Sequence, residues 1–166
     1  MERLLIQNIG LLATPAGHEA RRGPAQGEIS MTKNAWLLAE DGVIAASGTG
    51  APPGCGTAQV LDAQGCLVTP GLVDAHTHLI FGGWRQNELG LKLHGVSYLE
   101  ILARGGGILS TVEATRAASE AALVQKALPE LETMLRWGTT TCEIKSGYGL
   151  ATEQELKQLR AIRRLQ

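Results

Sequence analysis

The chain has 166 residues with 15 Lys+Arg against 16 Asp+Glu, a net charge of −1 that leaves no electrostatic footprint for nucleic acid. With 44% hydrophobic and 19% charged residues, it is the length of one ordinary domain and too apolar for wholesale disorder. Cys55, Cys66 and Cys142 are far apart and form no CxxC pair, which argues against a thiolate zinc site or a disulfide scaffold and fits free thiols in a reducing compartment.

No apolar run approaches the roughly 18 residues that span a membrane. Glu2, Gln7, Asn8 and Gly10 break up the N-terminal Leu/Ile residues, so neither a signal peptide nor a membrane anchor is expected, and a soluble cytoplasmic protein is. Leu4-Leu5-Ile6 predicts a short first strand, and residues 13–30, with Pro15, Gly17, Gly23 and Pro24, a polar loop that leaves His18 solvated. Ala35–Ala39 and Val43–Ala46 flank Asp41-Gly42, a strong hairpin signal. Residues 48–57 read as a loop, Val60-Leu61 as a strand, and Gln64-Gly65 as a turn before Cys66-Leu67-Val68.

From residue 68 the pattern changes to strand, helices, strand, helix, the opening of a parallel α/β fold. Leu72-Val73 leads into His76 and His78. Tyr98 to Leu102 predicts a short helix ended by Gly105-Gly106-Gly107. Ser119 is a candidate N-cap and Gly138 a candidate C′ residue around a helix whose stripe is Leu123, Ala127, Leu131 and Leu135, with Pro129 expected to kink or break it. Thr139–Ile144 is a β-branched strand, and Thr152 with Glu155 predicts a capping box for the last helix.

His76-Thr77-His78 is the sharpest chemical feature. Alternate strand side chains share a face, so two imidazoles there can converge on a metal; two hydrogen-bonded histidines at a strand end have the same pattern. Asp74 falls on that face, either as an acceptor orienting a histidine N–H or as an ordinary strand-end carboxylate. Arg85 suits bidentate carboxylate recognition or is a solvated loop arginine paired with Glu88. Tyr148, between Gly147 and Gly149, follows a strand on the face where parallel α/β folds bind ligands, or it is a packing aromatic. Glu143 and Lys145 share a strand face and suit an ion pair. His94 reads as structural. The triple glycine lacks a following Gly-Lys-Ser/Thr and so marks a tight or flexible turn, and no GxSxG elbow is present.

VTPGLVDAHTHLIF at residues 68–81 resembles the first barrel strand of the amidohydrolase superfamily. HTHLIFGGWRQNE, SYLEILARGGGILSTVEATRAAS and GTTTCEIKSGYGL resemble the imidazolonepropionase family within it. The resemblance implies an α/β fold: residues 1–67 as the N-terminal part of a small β-sandwich, and residues 68–166 as the first strands and helices of an incomplete metal-dependent (β/α)8 TIM barrel. It implies hydrolytic ring opening of a small-molecule substrate, 4-imidazolone-5-propanoate, to N-formimidoyl-glutamate, with one Zn2+ or Fe3+ per complete site and a homodimer in the complete protein. By position His76 and His78 match the first two metal ligands, Arg85 the substrate-carboxylate arginine, and Tyr148 and Tyr98 substrate-contacting tyrosines. Trp84 stands where smaller residues are more usual. No histidine follows His94, so the family's third metal ligand, later substrate histidine and general base have no counterpart here. The expectation is therefore an N-terminal portion, inactive alone. The alternatives are an amidohydrolase acting on another cyclic amide, or a non-catalytic remnant.

Overall fold

The computed structural model describes residues 2–17, 19–54 and 56–166; His18 and Cys55 lie outside the described residues. The chain divides into two compact units, Met1–Pro70 and Gly71–Gln166.

The first unit is a five-stranded sheet built on β1 (Arg3–Pro15). β1 pairs antiparallel with β2 (Ile29–Glu40), and β2 with β3 (Val43–Thr49), while β4 (Gln59–Asp62) and β5 (Leu67–Val68) both pair parallel to β1. The short run Leu4–Ile6 is thus the start of a 13-residue strand that continues through Gln7, Asn8 and Gly10. Gln7 and Asn8 are absorbed at a register shift between Ile6 and Ile9, where Asn8 takes a positive φ of 54° and its amide donates to Asp62. The expected loop over residues 13–30 is correspondingly shorter: Pro15 pairs with Ile29, and Gly23–Gly27 is a 3-10 turn. Asp41 and Gly42 both have positive φ, the backbone that a two-residue hairpin turn requires. Ile9, Leu12 and Ala35 form this unit's core, with Ile6, Leu37, Ala63 and Val68 against it.

The second unit contains β6 (Leu72–Thr77), α1 (Asn87–Leu93), α2 (Tyr98–Ala103), α3 (Gly107–Ala117), α4 (Glu120–Arg136), β7 (Thr139–Ile144) and α5 (Thr152–Arg163). β6 and β7 pair in parallel, so their C-terminal ends lie side by side. Ile80, Leu123, Val124, Ala127 and Ala161 form the core that fastens α4 and α5 to the segment after β6. Ser119 caps α4, its hydroxyl accepting from the Ala122 N–H at 3.1 Å.

The structure corrects the break at Pro129 and the capping box of the last helix, and it limits how far the α4 stripe is buried. α4 runs unbroken through Pro129. Pro129 and Gln125 are both exposed, so the carbonyl that loses its donor is on the water side, where the penalty is smallest. The apolar stripe of α4 is buried only in its first half: Leu123 is 1% exposed and Leu135 61%, because the core contacts end near Ala127. α5 has no capping box; Ala151 is its N-cap, and Glu155 turns away from Thr152 to accept the N–H groups of Gly149 and Leu150 at 2.6 and 2.7 Å. The triple glycine also has two jobs rather than one. Gly105 ends α2 with φ near 82°, whereas Gly106 caps α3 and Gly107 begins it.

Candidate active site

His76 stands near the C-terminal end of β6 and His78 just beyond it, their ring centroids 5.4 Å apart and edge-on. The strand is held there by cross-strand bonds: the Thr77 hydroxyl donates to Glu143 O at 2.7 Å, and Lys145 N donates to Thr77 O at 2.8 Å. Asp74 does not reach an imidazole. Its carboxylate accepts the backbone N–H of His76 at 3.1 Å, which shapes the strand end rather than a ring tautomer. Glu143 and Lys145 pair directly, and that bond, with the nearby His76, keeps the Glu143 carboxyl below its usual value.

Tyr148 follows β7 and meets His78 with ring centroids 5.3 Å apart. The approach depends on Gly147, where a Cβ would stand 2.9 Å from His78 Cε1. Three groups clamp the turn after Tyr148. Arg116 donates from Nε to Gly149 O at 2.7 Å. Gln158, fully buried, fits the same turn: with its amide oriented to satisfy its neighbours, it donates to Ile80 O and accepts from Gly149 N, each at 3.0 Å. Glu155 takes the Gly149 and Leu150 N–H groups. Burial pushes the Glu155 carboxyl up, but the Ser146 hydroxyl and the amides of Leu150, Gly149 and Gly147 outweigh it and hold the pKa below the ordinary value. Leu150 sits at φ 50°, a left-handed conformation costly for a non-glycine residue, and this clamp sustains it.

His78, Phe81, Trp84, Arg85, Thr111 and Tyr148 line a cleft of about 250 Å³. Gly82 lets its floor close on α3: a Cβ there would come within 2.3 Å of Ala114 O, and Gly82 N donates to Thr115 Oγ1 at 2.8 Å. Phe81 and Trp84 meet edge-on at 5.3 Å, and the Lys126 ammonium lies 3.3 Å and 3.7 Å from their ring centroids. Partial burial lowers the Lys126 pKa, offset in part by Glu130. The structure thus brings together His76, His78, Arg85 and Tyr148. Tyr98 is elsewhere, half-exposed at the first position of α2 with its ring beside Gly107. His94 bonds the carbonyl of Gly90 through Nδ1 at 2.7 Å, at the end of α1. Phe81, Thr111 and Lys126 escape a reading of the sequence, since apolar and small polar residues at these spacings carry no chemical signal.

The fit to a metal ion is partial. Nδ1 of His78 is buried with no hydrogen-bond partner among the described residues, and a second imidazole is adjacent. An imidazole pair of this kind suits two metal ligands, whereas a catalytic zinc takes three from protein. Among the described residues, no group of three His, Cys, Asp or Glu gathers to hold an ion.

Residues 59–98 match the family model described as Amidohydrolase family. The chain is 50% identical over 162 residues to a protein of Bacillus velezensis named imidazolonepropionase, covering 97% of this chain and 38% of that protein. It is 49% identical over 162 residues to the imidazolonepropionase of Caldanaerobacter subterraneus subsp. tengcongensis, covering 98% of this chain and 39% of the other. The chain resembles the imidazolonepropionases of the amidohydrolase family. It spans about two-fifths of the length of these imidazolonepropionase relatives. Among solved structures it resembles Escherichia coli guanine deaminase, with TM-score 0.60 and 16% identity over 99% of this chain and 34% of that one. It also resembles a triazine hydrolase from Arthobacter aurescens, with TM-score 0.56 and 19% identity over 99% of this chain and 34% of the other. At these identities the likeness concerns the fold, which is that of amidohydrolases. Amidohydrolases are generally metal-dependent, in keeping with the imidazole pair. No helix among the described residues is long and apolar enough to cross a membrane.

Proposed function

We propose that these residues belong to an imidazolonepropionase that opens the ring of 4-imidazolone-5-propanoate to give N-formimidoyl-glutamate, a step of histidine degradation. The observation that carries this reading is the shared cleft: His78, Arg85 and Tyr148 line one cavity, with His76 against His78, in a chain half-identical to proteins of that name. Met1–Pro70 then forms part of a small β-sandwich, and Gly71–Gln166 the opening of a (β/α)8 barrel, whose ligand-binding face is the C-terminal end of β6 and β7.

His76 and His78 would hold a zinc or iron ion together with ligands from outside these 166 residues. Such an ion, when bound, supplies Lewis acidity for activating water and polarising a carbonyl. This chain's own residues bind and orient. Arg85 offers the only guanidinium lining the cleft among the described residues, and it suits the propanoate carboxylate. Fixing that tail fixes the ring relative to the imidazoles, which turns a loose encounter into an oriented one. Tyr148 presents its ring edge-on to His78 and lines the same cleft as Arg85, while Phe81 and Trp84 give that cleft an aromatic side. Tyr98 joins as a pocket tyrosine only if α2 shifts toward the cleft in the complete protein. No group among the described residues is assigned as the general base.

The test is a hybrid in which this chain replaces the matching segment of the Bacillus velezensis relative. A folded, metal-loaded hybrid should consume imidazolonepropanoate and leave hydantoin and dihydropyrimidines untouched. Turnover of the latter compounds in preference would move the assignment to another cyclic-amide hydrolase.

A further inference from the structure

Glu88 is the most buried charged side chain of the second unit, with 3% of the residue exposed, in the first turn of α1. Its two oxygens are used differently. Oε1 accepts the Gly107 N–H at 2.6 Å, which anchors the start of α3, the helix that carries Thr111 into the cleft. Oε2 is buried without a hydrogen-bond donor among the described residues. The nearest cations are Arg85, with Nε at 3.8 Å, and Lys92, with Nζ at 4.0 Å. Both distances are too long for a hydrogen bond yet short enough for strong charge attraction. Gly106 keeps the space open: a Cβ there would come within 3.1 Å of Glu88 Oε1.

We infer that Glu88 is a positioning residue for the substrate carboxylate: it is pinned to α3 through Oε1 and uses the charge on Oε2 to hold the Arg85 guanidinium in the cleft without consuming its hydrogen-bond donors. A freely moving carboxylate would close on Arg85 as a bidentate pair and compete with the ligand. The bond to Gly107 prevents that approach. The buried oxygen steers the arginine from one side and leaves its N–H groups for an incoming carboxylate. This deepens the proposed role of Arg85 and rests on it.

The test uses the 166-residue chain with imidazole-4-propanoate as probe and 4-methylimidazole as the carboxylate-free control. Glu88→Gln keeps an acceptor for Gly107 and removes the charge. Simple electrostatics predicts that deleting a negative charge beside an anion site tightens binding. Positioning predicts the reverse: E88Q should weaken imidazole-4-propanoate by about 2- to 5-fold, leave 4-methylimidazole unchanged, and speed water exchange of the Arg85 Nε–H seen by 15N NMR. R85M, which also assigns that resonance, should weaken the propanoate about 10-fold or more. If R85M is impaired and E88Q binds as tightly as the parent or tighter, the Glu88 inference is overturned while the role of Arg85 stands. If R85M binds normally, the carboxylate role of Arg85 fails and this inference goes with it. Should E88Q not fold, the parent chain decides: a slowly exchanging Arg85 Nε–H supports the inference, and a solvent-like one overturns it.

Discussion

The Glu155 carboxylate accepts the Gly149 N–H at 2.6 Å, so the first turn of α5 holds the loop that carries Tyr148. The Glu155 pKa lies below its ordinary value of 4.5. A carboxyl depressed in the folded state stabilises the fold above the ordinary value and loses that contribution as pH falls through the folded value. The thermal midpoint of the parent should therefore exceed that of Glu155→Gln at neutral pH and converge with it in acid, below 4.5. A gap that stays constant with pH would show that the amide hydrogen bonds, rather than the charge, carry the stabilisation.

Lys157 caps α3 from another helix, its Nζ donating to the carbonyls of Thr115, Arg116 and Ala118, each at 2.9 Å. Three carbonyls at a helix C-terminus are otherwise unsatisfied acceptors, and a cation there also meets the negative end of the helix dipole. Lys157→Met should cost about 1–3 kcal/mol in urea unfolding. Lys157→Arg should recover part of this, and a loss under a few tenths would mean that water replaces the ammonium freely.

In the hybrid with the Bacillus velezensis relative, Arg85→Met should impair substrate use far more than metal retention. Removing one partner of a partly desolvated charge pair costs about 2–5 kcal/mol, or roughly 30-fold to several-thousand-fold in kcat/KM. Metal per chain, measured by mass spectrometry, should stay at the parent level. An unchanged kcat/KM would place the propanoate elsewhere.

Alone, the 166 residues should neither hold metal tightly nor hydrolyse imidazolonepropanoate, because two imidazoles fall short of the three protein ligands a catalytic site takes. β6 and β7 each have a single strand neighbour among the described residues. Val73 at 67% and Trp137 at 81% exposure add apolar surface nearby. Strand edges and apolar faces of this kind associate, so light scattering should report oligomers. A monomer that binds one ion tightly and turns over substrate would contradict the ligand count.

What the sequence determined by itself is what backbone stereochemistry decides locally. Asp41-Gly42 makes a hairpin because both residues tolerate positive φ. His76 and His78, two residues apart at the end of an extended segment, bring their rings together as strand alternation predicts. Ser119 caps α4 because a hydroxyl can reach an amide three residues on. The tertiary structure decided everything that depends on a distant partner. Pro129 is tolerated since its helix face meets water, and Leu135 is exposed since the core stops short of it. Glu155 abandons the local cap for the two amides that the Tyr148 turn brings to it. Asp74 turns to a backbone N–H, and Glu88, legible as a simple partner for Arg85, becomes a buried anchor on Gly107. Each of these choices compares a local hydrogen bond with a remote one under burial. That comparison has no value until the remote group is in place.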